Sequence, residues 1–170
     1  MKKAVKRIVE AMKKGEWVAI YSDYDCDGIP GGVLLRTFFN DIGFPVEIYI
    51  PHRHNEGYGL HNHAIDDLKK RGVSLIITVD LAITNIDEVA YAKKKGVDII
   101  VTDHHLPIRQ DIRQQTTDNI KKPEQIVPDA VAVINSKQDV CKYDDDMLCG
   151  CAVAWKLSCA VLSELKKEKK

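Results

Sequence analysis

The sequence lacks a long apolar run, a secretory signal and any excess of charge of one sign. None of its apolar runs approaches the roughly 20 residues that cross a bilayer, and the amino-terminal stretch MKKAVKRIVEAMKKG has no apolar core of a signal peptide. The 25 basic residues equal the 25 acidic ones, so any affinity for a polyanion must come from local arrangement or from bound metal. We therefore expect a cytoplasmic protein with no membrane partner.

Cysteines are few and odd in number, which argues against a disulfide framework. The five are Cys26, Cys141, Cys149, Cys151 and Cys159. Without a secretory signal, free thiols in a reducing compartment are expected. The spacing of Cys141, Cys149 and Cys151 matches no common structural zinc pattern. We interpret the cysteines as packing residues and keep zinc as a weaker alternative.

The sequence does contain short runs rich in Val and Ile that alternate with helical patterns, and it has no internal repeats. The predicted strands are 16–21, 45–50, 73–79, 97–102 and 130–134, and the predicted helices are 4–12, 28–42, 60–70, 85–95 and 149–165. Such alternation is typical of a parallel sheet with right-handed crossovers and helices on both faces. Because 170 residues fit one domain, we predict a single α/β domain over 1–170 with about five parallel strands.

Three details go with this prediction. The helix over 28–42 is expected to turn Val33, Leu34, Phe38 and Ile42 inward. The stretch 106–128 is polar and too long for an ordinary connection, so it is predicted to be an inserted flap or loop, functional or partly disordered. The lysine-rich end, 166–170, is predicted to be a solvated tail that also complements the dipole of the last helix.

Acidic and imidazole side chains follow three of the predicted strands. Asp23, Asp25 and Asp27 follow the first strand, Asp80 follows the third, and the triplet 103–105 follows the fourth. Parallel strands end at the same edge of a sheet, with adjacent ends about 5 Å apart, so these side chains should meet. That many carboxylates are unstable together unless cations lie among them. The sequence therefore predicts a metal site at this edge.

The residue types favour two Mn²⁺ or Mg²⁺ ions, since carboxylate oxygens with one imidazole suit these metals. A calcium loop that starts at Asp23 would need Glu where Leu34 stands. A helix cap would explain Asp27 but not all three aspartates. Asp80 is the predicted bridge between two ions about 4 Å apart, which lower the pKa of a bridging water and neutralise phosphoryl charge. Hydrolysis of a phosphodiester or phosphoanhydride is the chemistry that follows.

His104 and His105 would point to opposite sides if the strand continued, so one is predicted to bind an ion and the other to face the substrate. In the loop PHRHNEGYGL, Arg53 and Asn55 are candidates to hold a phosphate, and Tyr58 is a candidate to stack on a base. The other four histidines stay unassigned.

These residues and motifs resemble the DHH phosphoesterase superfamily, which is named for the triplet at 103–105. The matching motifs, in the family's order over nearly the whole chain, are DYDCDG, PHRHNEGYGL, TVD at 78–80, TDHHLP at 102–107 and LCGCAVAWKL at 148–157. They look most like the RecJ type of single-strand-specific exonuclease.

The resemblance implies a role for each residue of the predicted site. Asp25 and Asp27 would each bind one of two Mn²⁺ or Mg²⁺ ions, Asp80 would bridge them, and His104 would bind the second. Asp23 would be a possible additional ligand or support.

The resemblance also implies two catalytic residues, His105, which would contact the scissile phosphate, and Asp103, which would orient its neighbours. The implied activity is metal-dependent release of 5′-mononucleotides from single-stranded DNA or RNA, in DNA repair or replication.

The sequence departs from the family pattern in three ways. Ala82 stands where relatives usually carry glycine, and the insertion before Pro128 is longer than expected. The chain also ends at Lys170, before the family's fourth metal motif and its usual second, smaller domain. We expect either a fragment or a short form whose missing carboxylate comes from a second chain.

Two other functions stay open. One is a non-catalytic replication scaffold related to RecJ that contacts a GINS-like assembly, although a scaffold needs no metal ligands. The other is a phosphodiesterase of the same superfamily that acts on short oligonucleotides or cyclic dinucleotides, or a pyrophosphatase.

Overall fold

A computed structural model describes residues 1–110 and 124–168 of the chain. The helices and strands in chain order are α1 (Lys2–Lys14), β1 (Trp17–Ser22), α2 (Gly28–Asp41), β2 (Glu47–Tyr49), α3 (Asn62–Lys70), β3 (Val73–Val79), α4 (Ile86–Lys94), β4 (Asp98–Thr102), β5 (Ile108–Arg109), β6 (Gln125–Ile126), β7 (Ala132–Ile134) and α5 (Gly150–Glu168).

Five of the strands form one sheet in the order β2-β1-β3-β4-β7, and every neighbouring pair is parallel. The central strand β3, VSLIITV, is buried at every position except Ser74. Near-continuous burial is what a parallel strand covered on both faces requires. The predicted five-stranded parallel sheet is confirmed.

Helices cover both faces of the sheet. One core cluster joins the sheet to α1, α2 and α5, and the other joins it to α3 and α4. Alternate strand residues point to opposite faces, so that Ile20 of β1 packs in the first cluster and Tyr21 in the second. Because all neighbouring strands are parallel, their carboxyl ends lie together at one edge of the sheet.

The inward face of α2 differs from the predicted one. Val33 is 51% exposed, whereas Leu35 and Phe39 are fully buried; the other three residues predicted to face inward are only partly buried. Two adjacent glycines set this face, because a Cβ on Gly31 or Gly32 would lie under 3 Å from neighbouring side chains. The helix therefore approaches the sheet through its glycines, which a pattern of large apolar residues does not reveal.

The predicted insertion, 106–128, is described only at its ends, and residues 111–123 lie outside the described part of the chain. At those ends β5 and β6 form a separate antiparallel ribbon that pairs Ile108 with Ile126. Residues 166–168 of the predicted tail form the exposed last turn of α5, and 169–170 lie outside the described residues. Within the described ranges, no helix is both long enough and apolar enough to cross a bilayer.

Candidate metal centre

The acidic residues after β1, β3 and β4 lie side by side because strand pairing continues one residue past each strand. The backbone amides of Asp23, Asp80 and Asp103 each donate a hydrogen bond to the last residue of the neighbouring strand, at 3.1, 2.9 and 3.1 Å. Three carboxylates from distant parts of the sequence are thereby fixed at one edge of the sheet.

Two overlapping groups of side chains offer metal-ligand atoms within 4.8 Å of one another. The first group is Asp23, Asp25 and Asp80, and the second is Asp80, His104 and His105. Asp80 belongs to both groups. This is the position that a bridging ligand needs.

Asp27 lies against the second group. Nε2 of His104 is 3.2 Å from Oδ1 of Asp80 and 3.9 Å from Oδ2 of Asp27. The first amide of α5, that of Gly150, donates to Asp27 Oδ2 at 3.3 Å. The structure thus brings together the four residues predicted to bind metal, Asp25, Asp27, Asp80 and His104.

Asp80 is fully buried, and neither of its carboxylate oxygens accepts a hydrogen bond from the described residues. Burial, together with the negative charge of Asp25, raises the pKa of Asp80 to about 8. Burying a carboxylate whose oxygens accept no hydrogen bond is costly, and a divalent cation would remove that cost. The donor set therefore fits divalent metal ions.

The loop after β1 holds Asp25 through its own backbone. The amides of Asp27 and Gly28 donate to Oδ1 of Asp25 at 2.9 and 2.8 Å. Although burial raises the pKa of Asp25, these hydrogen bonds lower it more, to below its ordinary value. Burial instead raises the pKa of Asp23, so Asp25 is the better anionic ligand of the two.

Asp103 is also fully buried, but its oxygens have partners. Oδ2 accepts from the amide of Ile83 at 2.9 Å, and Oδ1 accepts from the amides of His104 and His105 at 2.7 and 3.0 Å. Oδ1 also lies 2.7 Å from Nδ1 of His105, and this hydrogen bond raises the pKa of His105. Asp103 therefore orients the His105 ring, as carboxylates commonly orient functional histidines.

The two histidines do not point to opposite sides. β4 ends at Thr102, the chain bends, and the ring centroids of His104 and His105 lie 4.6 Å apart. The strand alternation assumed for them does not extend this far. Their surroundings still differ, because His104 contacts Asp80 and His105 is held by Asp103.

The loop between β2 and α3 brings one predicted substrate residue to the centre. The hydroxyl of Tyr58 lies 3.4 Å from Nδ1 of His105 and 3.5 Å from the carbonyl oxygen of Asp80. The Arg53 guanidinium lies over the ring of Tyr24, between Asp23 and Asp25 in sequence. Asn55 is exposed, and within 1–110 and 124–168 its one hydrogen bond is from its backbone amide.

Sequence reasoning missed two residues that support the centre. A Cβ on Gly150 would lie 2.6 Å from Cβ of Asp80, and closer still to the carboxylate, so only glycine fits there. Asn135 is buried and donates from Nδ2 to the carbonyl oxygen of His105 at 2.8 Å. For Gly150 the sequence offers a signal, a glycine at the start of the predicted last helix. For Asn135 the sequence offers none.

The backbone at this edge takes unusual conformations. Asp80 has φ 65° and Ala82 has φ 87°, values that L-residues adopt at a cost. A positive φ at Ala82 agrees with the implied glycine of relatives at that position. Strain here is borne by the segment that carries the central carboxylate.

The chain matches the family model described as the DHH family, N-terminal domain, over residues 17–170. It is 39% identical over 168 residues to the single-stranded-DNA-specific exonuclease RecJ of Bacillus subtilis, covering 99% of this chain and 19% of that protein. For RecJ of Haemophilus influenzae the identity is 32%, with coverage of 98% and 26%.

Among solved structures, a crystal structure of exonuclease RecJ bound to manganese matches with a TM-score of 0.77 and 28% identity, covering 96% of this chain and 37% of that one. The chain thus spans about a fifth to a quarter of the length of these curated relatives.

Proposed function

Since this chain belongs to the DHH family, we propose that it is the two-metal phosphodiesterase domain of a RecJ-like exonuclease, which releases 5′-mononucleotides from single-stranded nucleic acid. The buried carboxylate of Asp80 carries the proposal, because it belongs to both groups of ligand atoms and has no hydrogen-bond partner among the described residues. The relatives named as single-stranded-DNA-specific exonucleases favour DNA as the substrate.

We assign the ions as follows. Asp25 would hold one ion and Asp27 and His104 the other, with Asp80 as the ligand that the two groups share and Asp23 as an additional ligand of the first. The manganese in the matching RecJ structure favours Mn²⁺, and an oxygen-rich donor set also suits Mg²⁺. When bound, such ions activate a water and neutralise charge on a phosphoryl group.

The other side chains act on the substrate. Because Asp103 holds Nδ1 of His105, Nε2 is the nitrogen that faces the scissile phosphate and donates to it. Tyr58 lies beside His105, where its ring can stack on the terminal base. Arg53 and Asn55 are the proposed contacts to phosphates further along the strand.

Replacing Asp80 by Asn tests the assignment, since the variant keeps the shape and removes the charge. Without metal at about pH 7, Asp80→Asn should be more stable than the wild type, because folding buries the Asp80 carboxyl group and raises its pKa, which costs stability. Mn²⁺ should raise the melting temperature of the wild type, as any ligand of the folded state does, and leave that of the variant unchanged. Asp41→Asn, at an exposed carboxylate at the end of α2, is the matched control and should respond like the wild type.

The rival functions give different results. A wild type whose melting temperature ignores Mn²⁺ would contradict the metal centre and favour a non-catalytic scaffold. If metal binds, the products from a 3′-labelled single strand, a dinucleotide and pyrophosphate separate an exonuclease from a phosphodiesterase of short substrates and a pyrophosphatase. A further carboxylate from a second chain, contact with a GINS-like assembly, a part in DNA repair or replication, and a cytoplasmic location stay predictions.

A further inference from the structure

Tyr24 has no part in the centre as assigned, although it lies between two of its aspartates in DYDCDG. Its ring is partly buried, and the Cζ atom of Arg53 lies 4.4 Å from the ring centroid. That distance is within the range of a cation–π contact. The contact joins the loop that carries Asp23 and Asp25 to the loop after β2.

Arg53 is held at this place by an aromatic ring and not by an acid. Its side chain is exposed, and within the described ranges no carboxylate forms an ion pair or a hydrogen bond with it. The ring that it contacts belongs to Tyr24, which lies between Asp23 and Asp25 in the sequence. The N–H groups of the guanidinium therefore remain available for an anion beside the metal ligands.

The backbone of Tyr24 is held by the same turn that holds the aspartates. The amide of Tyr24 donates to Oδ1 of Asp23 at 2.7 Å, and the next aspartate accepts the amides that begin α2. The ring is thus attached to the metal loop, so the position of Arg53 is set relative to the metal ligands.

We propose that Tyr24 is a positioning residue that holds Arg53 at the rim of the centre, where the two form a subsite for a phosphate of a nucleic-acid strand. The inference rests on the proposed function and adds a residue to it. A ring holds a flexible arginine in place without occupying its donors, whereas a carboxylate would compete with the phosphate. The phosphate in question is one next to the scissile phosphate along the strand.

The test compares four variants by fluorescence anisotropy of a 3′-labelled oligo-dT, in Mn²⁺ at low temperature with the strand checked for integrity. Arg53→Ala should weaken binding about tenfold, as expected for loss of a charge-assisted hydrogen bond, and reduce the salt slope by about 0.7. Tyr24→Leu should weaken binding about two- to fivefold, and Tyr24→Phe should bind like the wild type. In the Arg53→Ala background, Tyr24→Leu should have no further effect.

A second cation–π pair serves as a matched control. Nζ of Lys95 lies 5.0 Å from the ring centroid of Tyr91, at the end of α4 and on a different helix layer from α2. Tyr91→Leu should leave oligonucleotide binding unchanged. Thermal melts of each variant check that the fold is retained.

A second measurement does not depend on the substrate. In NMR spectra, the side-chain protons of Arg53 should show an upfield ring-current shift that Tyr24→Leu removes and Tyr24→Phe keeps. Absence of that shift in the wild type would overturn the inference whatever the substrate is.

The binding results separate the inference from the function. If Arg53→Ala weakens binding and Tyr24→Leu does not, the role of Tyr24 is wrong and the proposed function stands. If the two substitutions act additively, the coupling that defines the subsite is absent. If the wild type binds no oligonucleotide at all, the proposed substrate is wrong and the inference fails with it.

Discussion

Gly150→Ala is the most direct test of how closely the protein is built around Asp80. The added methyl group would enter the start of α5 at 2.6 Å from Cβ of Asp80. Ordinary van der Waals contact begins at 3.4 Å, so helix and carboxylate must separate by about 1 Å. Both residues are buried, so either can move only by displacing its neighbours.

A displacement of that size should weaken metal binding strongly. Metal–ligand distances tolerate only about 0.2 Å of error, and loss of a residue that supports the ligands typically costs 10- to 100-fold in affinity. We therefore expect Gly150→Ala to weaken Mn²⁺ binding about 10- to 100-fold, which is about 1.4 to 2.7 kcal/mol. In an unconstrained helix the same substitution would stabilise the protein by about 1 kcal/mol. An effect of helix propensity would therefore be stabilising, whereas the predicted effect of the clash is a loss.

Calorimetric titration with Mn²⁺ measures the affinity, and urea unfolding measures the stability without metal. The matched control is Gly43→Ala, because a Cβ on Gly43 meets nothing within 4 Å while its φ is 77°. This control should cost about 1 kcal/mol in stability and leave Mn²⁺ affinity unchanged. An alanine at position 150 that binds Mn²⁺ as tightly as the wild type would show that the contact with Asp80 does not determine the geometry of the centre.

Two further predictions concern stability away from the centre. Arg7 donates to Glu16 and Asp98 at 2.6 Å each, and Arg7→Met should lower the free energy of urea unfolding by about 2–3 kcal/mol, since Asp98 is partly solvated. Lys14→Met, which removes the exposed ion pair with Glu10, should lower the free energy of unfolding by less than about 0.5 kcal/mol. Equal losses for the two substitutions would contradict the prediction that the Arg7 pairs contribute more. Burial raises the pKa of Glu56, but hydrogen bonds from a backbone amide, a tyrosine and a histidine lower it more, to about 2. The stability that the ionised Glu56 contributes is therefore complete above about pH 4.5 and is lost as the pH falls towards 2. Glu56→Gln should lower the free energy of unfolding by up to about 3 kcal/mol at pH 7 and by progressively less below pH 4.5. A difference in stability that does not change with pH would refute this.

The sheet was predictable because its strands are buried on both faces. The predicted bounds 73–79 match β3 at both ends, since a run rich in Val, Ile and Leu lies between Gly72 and Asp80. The short edge strand was less predictable. The predicted 45–50 shrinks to Glu47–Tyr49, because an edge strand pairs on one side and its ends are set by the partner.

Contacts between helices and sheet were harder to predict. The sequence of α2 offers several large apolar residues, of which Leu35 and Phe39 pack in the core, and its two adjacent glycines allow the close approach to the strands. The ribbon of β5 and β6 depends on residues about 17 positions apart that pair with each other, and nothing in a polar stretch marks such a pairing.

The positions of the acidic residues at one edge followed from topology alone, but their roles did not. Asp80 and Asp103 each follow a buried parallel strand, and both are fully buried. Asp103 has hydrogen-bond donors on both oxygens, whereas Asp80 has none among the described residues. The difference arises from the bend after β4, which folds two backbone amides back onto Asp103 and cannot be read from side-chain patterns.

The same contrast indicates which of the two carboxylates the fold can do without. Asp103 accepts hydrogen bonds from backbone amides in the bend after β4 and so stabilises that bend. Its carboxylate therefore contributes to the stability of the fold. Asp80 destabilises the folded protein when no cation is bound. Its backbone has a positive φ, as does that of Ala82, and the start of α5 lies directly against its side chain. A protein gains nothing in stability from such a residue, and backbone strain around a buried carboxyl group with a raised pKa is typical of a site kept for its chemistry. If removal of the Asp80 charge failed to stabilise the metal-free protein, this ordering of the two aspartates would be wrong.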